Sequence, residues 1–439
     1  MQATNRYNFA QDPGRVRELA RDIAEQKLSP VALLERYLAR IAAADPHVEC
    51  WRQVDAEGAL KTAQAREREA ANGPIRGALH GIPVAIKDII DVEGLPTRAN
   101  SVSRAAAGPA DSDAEIVAAL KTAGAVVLGK VHTTEFAFFD PSPARNPHDT
   151  RHTPGGSSSG SAAAVAAGMA PIAVGTQTVA SVNRPAAYCG ISAFKPSTRS
   201  LSTYGITPLG PSYDTPGLYG WSVADAVYAF EAIAPPALRL RQGSPPVGSL
   251  AVCIPDDPHI GDAIPEMQAA LTRFADALAN AGHAVERAPS PIAFARLFGL
   301  QRSTMTYEAG RALHHLLQAP AGSVGEKITA LVREGLSIAP SRYLAERAEI
   351  DAMRETLFAQ LKAEVFLWPA APATAPMGLS WTGDPKYISP WTALGGPIVS
   401  VPAGRADNGL PIGCILSARP GSDMKMCAWA RQLVAALGA

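Results

Sequence analysis

The 439-residue chain sets 40 Lys and Arg against 40 Asp and Glu, so no net field argues for a nucleic-acid or acidic-membrane partner. With 47% hydrophobic and only 18% charged residues it can bury a large core, which excludes a disordered chain. No apolar run approaches the roughly 20 residues of a membrane span, and the polar start "MQATNRYNFAQDPGR" has no apolar secretion core, so the reading is a soluble, cytoplasmic protein. The five cysteines (Cys50, Cys189, Cys253, Cys414, Cys427) are odd in number and lack C-x-x-C spacing, as expected of reduced, buried thiols.

In chain order, residues 13–44 read as helical, with Ser29 as an N-cap and Pro30 at the first helical position. "AREREAANG" (65–73) reads as a solvated helix ending at Gly73. "GIPVAIKDIID" (81–91) is a short β-branched run interrupted by Lys87-Asp88. A helix from about Asp113 leads into the buried strand "AGAVVLGK" (123–130), and "APIAVGTQT" (170–178) reads as another strand. Between 221 and 370 the pattern predicts one strand–helix–strand unit ("LAVCIP", 265–281, "HAVERA") and long helices at 325–335 and 341–363. "VFLWPAAPATAP" (365–376) is a strand followed by a Pro-rich loop. "GGPIVSVPAG" and "LPIGCILSA" are two late strands, and 424–437 is a terminal helix. Alternating helices and strands imply an α/β class.

"RHTPGGSSSGSAAAVAAG" (151–168) holds the densest chemistry signal. Its "GSSSG" matches the G-x-S-x-G nucleophile elbow at Ser158, but polar turn residues precede it where that motif needs a buried strand. "SAFK" (192–195) matches S-x-x-K, but Pro196 follows at once and no K-T-G lies downstream. His80, His132, His148 and His152 show no metal spacing and read as satisfied loop or core residues.

The order of segments says more than any one of them. "HGIPVAIKDIIDVEGLPTRANS" (80–101), "KVHTTEFA" (130–137), "RNPHD" (145–149), "TPGGSSSGSAAAVAAG" and "GTQTVASVNRPAAYCG" (175–190) follow one another as in the amidase signature family, which the chain resembles over most of 70–220 and again at 212–220 and 365–435. The resemblance implies a single-domain α/β/α sandwich around a large mixed β-sheet. Helices at 1–70, a catalytic core at 71–220, a specificity-shaping region at 221–370 and the remainder of the core sheet at 371–439 would divide it. It also implies a Ser–cis-Ser–Lys triad: Lys87 as base, Ser157 as the bridging serine behind a cis peptide bond, and Ser181, 24 positions further on, as nucleophile. The chemistry agrees with that division. A serine hydroxyl needs an adjacent base, and a lysine serves only where burial or nearby positive charge keeps it neutral.

The family's oxyanion donors correspond to the backbone N–H groups of Thr178, Val179, Ala180 and Ser181. Here the chain departs from the pattern. Val179-Ala180 replaces Gly-Gly, which would strain a β-branched Val179 if the position needed positive φ. Gln177 replaces an Asp, and Asn183 stands where many members have Arg. Gln177 and Arg184-Pro185 resemble malonamidase-, aryl-amidase- or urethanase-like members. There Arg184 would hold a substrate carboxylate, the plainer role being a structural Arg bonded to carbonyls. Ser158, Ser159 and Ser161 are expected to tune the loop and helix cap, with Ser158 reaching the triad, and Asp88 and Asp214 to be structural acceptors.

The implied reaction is hydrolysis of small-molecule amide, anilide, carbamate or ester bonds through an acyl-enzyme, with no metal or organic cofactor, in a monomer or homodimer with no nucleic-acid or membrane partner. The stretch Phe294, Leu297, Phe298, Leu300, Met305 and Tyr307 lines an apolar pocket or belongs to the core. Two other readings stay open: an amidotransferase subunit delivering ammonia to a charged tRNA, and a catalytically silent binding protein made plausible by Val179-Ala180.

Overall fold

The computed structural model describes residues 7–242 and 248–437. Its strands are β1 (Trp51–Val54), β2 (Pro83–Lys87), β3 (Val126–Val131), β4 (Ile172–Gln177), β5 (Ser192–Lys195), β6 (Thr215–Gly220), β7 (Ala251–Asp256), β8 (Ala284–Pro289), β9 (Val365–Pro369), β10 (Ile398–Arg405) and β11 (Pro411–Ser417). They form one mixed sheet in the order β1-β3-β2-β4-β6-β5-β10-β11-β9-β7-β8. β3, β2 and β4 run parallel at one end, and β9, β7 and β8 at the other. The strands between them pair antiparallel.

Strand alternation divides the core in two. Val84, Ile86, Val127, Ile172 and Val174 point into one apolar cluster. Ala85, Val126, Leu128 and Ala173 point into the other, where they meet Ala162–Ala167. The central strands are buried on both faces, which is why they read as continuous apolar runs. The helix Ser159–Ala166 is buried throughout and lies across β2, β3, β4 and β6. Its small residues permit that depth: a Cβ on Gly160 would sit 2.5 Å from the Cys50 carbonyl oxygen and the His132 nitrogen.

The strand–helix–strand unit at 250–288 forms as expected, with β7 and β8 parallel around the helix Pro265–Asn280. The helices Glu326–Ser337, Pro340–Gln360 and Asp423–Ala435 fall within a few residues of their predicted places. The helix expected from 65 begins earlier, at Ala56, and ends at Asn72 before Gly73.

Two expectations change. The 13–44 helix is two helices, Val16–Ala24 and Pro30–Val48, because Ser29 caps the second (its Oγ accepts from Ala32 N–H, 3.1 Å) and Pro30 cannot continue a helix running into it. β1, β5 and β6 were not expected. β1 and β5 have four residues each, and β6 places Pro216 and two glycines in the middle of a sheet, against the usual pattern. All five cysteines are buried and unpaired. Among the described residues no helix is long and apolar enough to cross a membrane.

Candidate active site

Lys87 ends β2 and Thr176 is the last residue but one of the parallel neighbour β4, so both stand at carboxyl ends of adjacent strands. Lys87 is fully buried, and its Nζ lies 2.8 Å from both Ser157 Oγ and Thr176 Oγ1. Burial pushes its amine well below the ordinary lysine range, and the Asp214 carboxylate only partly opposes this. That shift favours the uncharged amine among the surrounding hydroxyls.

The Gly156–Ser157 peptide bond is cis. The loop before it is clamped: Gly155 has φ +85°, and a Cβ on Gly156 would meet Thr382 Cγ2 at 2.8 Å. Arg184 adds to the clamp. It is buried, and its Nη2 donates to the Gly156 carbonyl (2.8 Å) and Thr382 Oγ1 (3.0 Å) while Nη1 donates to the Gly383 carbonyl (2.6 Å). The plainer role of Arg184, bonded to carbonyls, is the one the geometry displays.

Ser181 comes to the same place from the turn that follows the carboxyl end of β4. Ser158 N–H donates to its carbonyl (3.3 Å), and so does Tyr219 OH (3.2 Å). Ser181 keeps 8% of its surface, and its hydroxyl makes no hydrogen bond to the described residues. Chain folding thus brings Ser181 beside Ser158, next in sequence to the Ser157 that Lys87 contacts.

The turn 178–181 is held by its carbonyls. Thr178 O accepts from Gln301 Nε2 (2.9 Å), Val179 O from Thr392 Oγ1 (2.6 Å) and Ala180 O from Arg184 N–H (3.0 Å). Among the described residues nothing takes up the N–H groups of Val179, Ala180 and Ser181. Gln177 is buried and does not reach toward a ligand. Its Oε1 accepts from Val182 and Asn183 N–H (2.9 and 3.0 Å), and its Nε2 donates to Thr392 Oγ1 (2.9 Å). A side-chain amide here receives the two N–H groups as a carboxylate could, and adds a donor toward Thr392. Neither Val179 nor Ala180 has positive φ, so the expected strain is absent. Thr178 Oγ1 donates to Asp214 (2.5 Å), which also accepts Leu209 and Gly210 N–H, so Asp214 is the structural acceptor expected.

Ser158 does not cap the helix that follows it. Its Oγ exchanges hydrogen bonds with the Thr176 carbonyl and N–H (3.2 Å each), while Ser161 Oγ donates to Val174 O (2.9 Å). Both tie the serine run to β4. Asp88 accepts Arg98 N–H (3.3 Å), as expected, and pairs with the buried Lys130 (3.0 Å), which was not. His80, His148 and His152 ring nitrogens contact backbone carbonyls, whereas His132 Nδ1 is buried without a partner. Among the described residues no three His, Cys, Asp or Glu side chains converge as metal ligands would. Sequence reading missed Thr176, Gln301 and Thr392. The last two lie more than 100 positions from the turn they hold, and no local pattern marks them.

An apolar cavity of about 400 Å³ adjoins this turn, lined by Phe138, Phe139, Val179, Phe298, Met305 and Leu331, with Arg302, Lys327 and Glu334 also on its wall. The helix Phe294–Ala312 divides its apolar residues. Phe298 and Met305 face the cavity, Phe294, Leu297 and Leu300 are core, and Tyr307 stacks on Tyr343 (4.2 Å).

A layered α/β fold with a buried amine between two hydroxyls at its strand ends is a frame suited to a hydrolase of amide C–N bonds. The family model described as Amidase matches residues 32–427, and the chain belongs to that family. It is 31% identical over 449 residues to a glutamyl-tRNA(Gln) amidotransferase subunit from Agathobacter rectalis, covering 90% of this chain and 88% of that one. The corresponding protein of Acidothermus cellulolyticus is 42% identical over 223 residues, a stretch that spans 49% of this chain and less than half (44%) of that protein. Among solved structures, native peptide amidase from Stenotrophomonas maltophilia superposes with a TM-score of 0.79 at 27% identity, covering 94% of each chain.

Proposed function

We propose that the chain hydrolyses amide or carbamate bonds of small molecules with an apolar, aryl or alkyl, acyl part, through an acyl-enzyme on Ser181. The observation that carries this is the fully buried Lys87 amine 2.8 Å from Ser157 Oγ, its pKa lowered by that burial. In this reading Ser181 Oγ attacks the substrate carbonyl as its proton passes through Ser157 to Lys87. The N–H groups of 178–181, left open while their carbonyls are anchored, stabilise the oxyanion. The proton returns by the same relay to the leaving amine, and water then cleaves the ester. The cavity beside Val179 receives the acyl group.

A panel of benzoyl anilides, aryl carbamates, acetamide and glutamine, read as kcat/KM, tests the assignment. Aryl acyl substrates should lead acetamide by about tenfold or more, since each buried CH₂ contributes about 0.8 kcal/mol. A second reading rests on the amidotransferase relatives: there the chain would release ammonia from an amide donor for a partner-bound tRNA. Glutamine ranking first in the panel would favour it over the aryl-amide reading.

The pH profile has a fixed sign. The active form carries neutral Lys87, so kcat/KM should rise with pH through the lowered lysine pKa and level off below 10.5, the ordinary value. A rising limb centred near 10.5 would remove Lys87 from the role of base.

A further inference from the structure

A second cleft, of about 450 Å³, shares none of its lining with the apolar cavity. Arg199, Arg347, Arg354 and Arg419 stand on its wall with Thr198 and Thr392, and Glu355 is its one carboxylate. Two of the four guanidinium groups are partly engaged. Arg354 donates to the Ala393 and Leu394 carbonyls (2.9 and 2.8 Å) and to Asp351 (2.7 Å), and Arg419 Nη2 donates to the Phe358 carbonyl (2.6 Å).

The other two leave donors open. Arg199 is exposed and makes no hydrogen bond or ion pair with the described residues. Arg347 Nη1 is shut away from solvent with no partner, and the Thr198 hydroxyl on the same wall is in the same state. The Arg347 guanidinium packs over the Tyr213 ring (5.1 Å) and, among its neighbours, is influenced first by Tyr213, while Glu308, the carboxylate acting on it, already accepts Tyr343 OH (2.7 Å) and Ser212 N–H (2.8 Å). Buried donors without acceptors are costly, and a guanidinium cluster suits a tetrahedral oxyanion with several acceptor oxygens. A carboxylate brings two acceptor atoms and one charge. A phosphate group brings three and close to two charges.

We propose that this cleft is a second ligand site, for a small phosphate-class anion held by Arg199, Arg347 and Thr198. It sits directly behind the oxyanion turn, because Thr392 on its wall is the residue that holds Val179 O and Gln177. The site stands whether or not the chain is a hydrolase, since binding needs no turnover.

The test titrates inorganic phosphate, and in parallel phenyl phosphate, into the full chain at constant ionic strength, reading the thermal midpoint and the heat of binding. A saturable stabilisation by either anion is expected, with affinity weakened about tenfold or more in Arg199→Asn/Arg347→Gln. Asparagine suits the first position because Arg199 has φ +69°. The single Arg199→Asn variant is exposed and independent of core packing, and it should weaken binding several-fold by itself. The two anions separate a free phosphate from an ester as the better ligand. A shift that never saturates, that potassium chloride reproduces, or that persists unchanged in both variants overturns the proposal.

Discussion

Lys87→Met should lower amide hydrolysis by about 10³-fold or more in kcat without lowering the unfolding midpoint at pH 7. The two halves of that expectation have one cause. Burial holds the folded pKa of Lys87 well below its unfolded value, so between those two values the unfolded chain binds a proton the folded chain refuses. That difference costs the native state stability, and the cost falls as pH rises toward the ordinary lysine value. Methionine fills similar volume and has no proton to refuse, although it leaves the Ser157 and Thr176 hydroxyls short of one contact each, at about 1 kcal/mol apiece. The stability difference between variant and parent should therefore shrink, or turn in the parent's favour, between pH 7 and pH 10. Retained turnover would remove Lys87 from the mechanism, and a collapsed fold at pH 7 would show that the amine is chiefly structural.

Ser181→Ala should abolish both hydrolysis and labelling by phenylmethylsulfonyl fluoride, with the fold unchanged. Its hydroxyl makes no hydrogen bond to the described residues, so truncation leaves no buried partner unpaired. Loss of the nucleophile in a concerted relay costs about as much as loss of the whole relay, here again about 10³-fold or more. Intact mass gives the sharper readout: one sulfonyl adduct on the parent, none on the variant. An adduct that survives on Ser157 or Ser158 would move the nucleophile, and a parent that takes no adduct would support a silent binding protein.

The two variants differ in what surrounds the side chain. Lys87 is surrounded by protein, and its replacement changes a proton balance. Ser181 keeps 8% of its surface and its hydroxyl has no hydrogen-bond partner among the described residues, so its replacement should change chemistry alone. Gln177 shows how much of the site is support. It departs from the family pattern in the sequence, yet its amide is spent on Val182, Asn183 and Thr392. Arg184 is likewise spent on three oxygens of the loops at 156 and 382–383.

Much of the architecture was legible along the chain. Val126–Val131 and Ile172–Gln177 read as buried strands because continuous β-branched runs between turns leave few other folds open. β6 was illegible because its Pro216 and glycines carry no strand propensity. It forms because β4 and β5 flank it on both edges. Ser29-Pro30 is legible as a helix start, but its consequence, a break in the preceding helix, emerges only in the fold.

By itself the sequence determined the α/β class and the buried central strands, because periodicity is a local property of the chain, while Lys87, Ser157 and Ser181 were singled out through the resemblance of its ordered motifs to the amidase signature family. Tertiary structure alone decided that the pKa of Lys87 is lowered, since desolvation depends on what closes over the amine. It decided too that Thr392 and Gln301, from segments beyond 300, hold the turn at 178–181, and that Phe298 and Met305 line a cavity while Phe294 and Leu297 fill the core. Contacts across such distances in the chain leave no periodic trace, because only the closed fold gives those side chains a common surrounding.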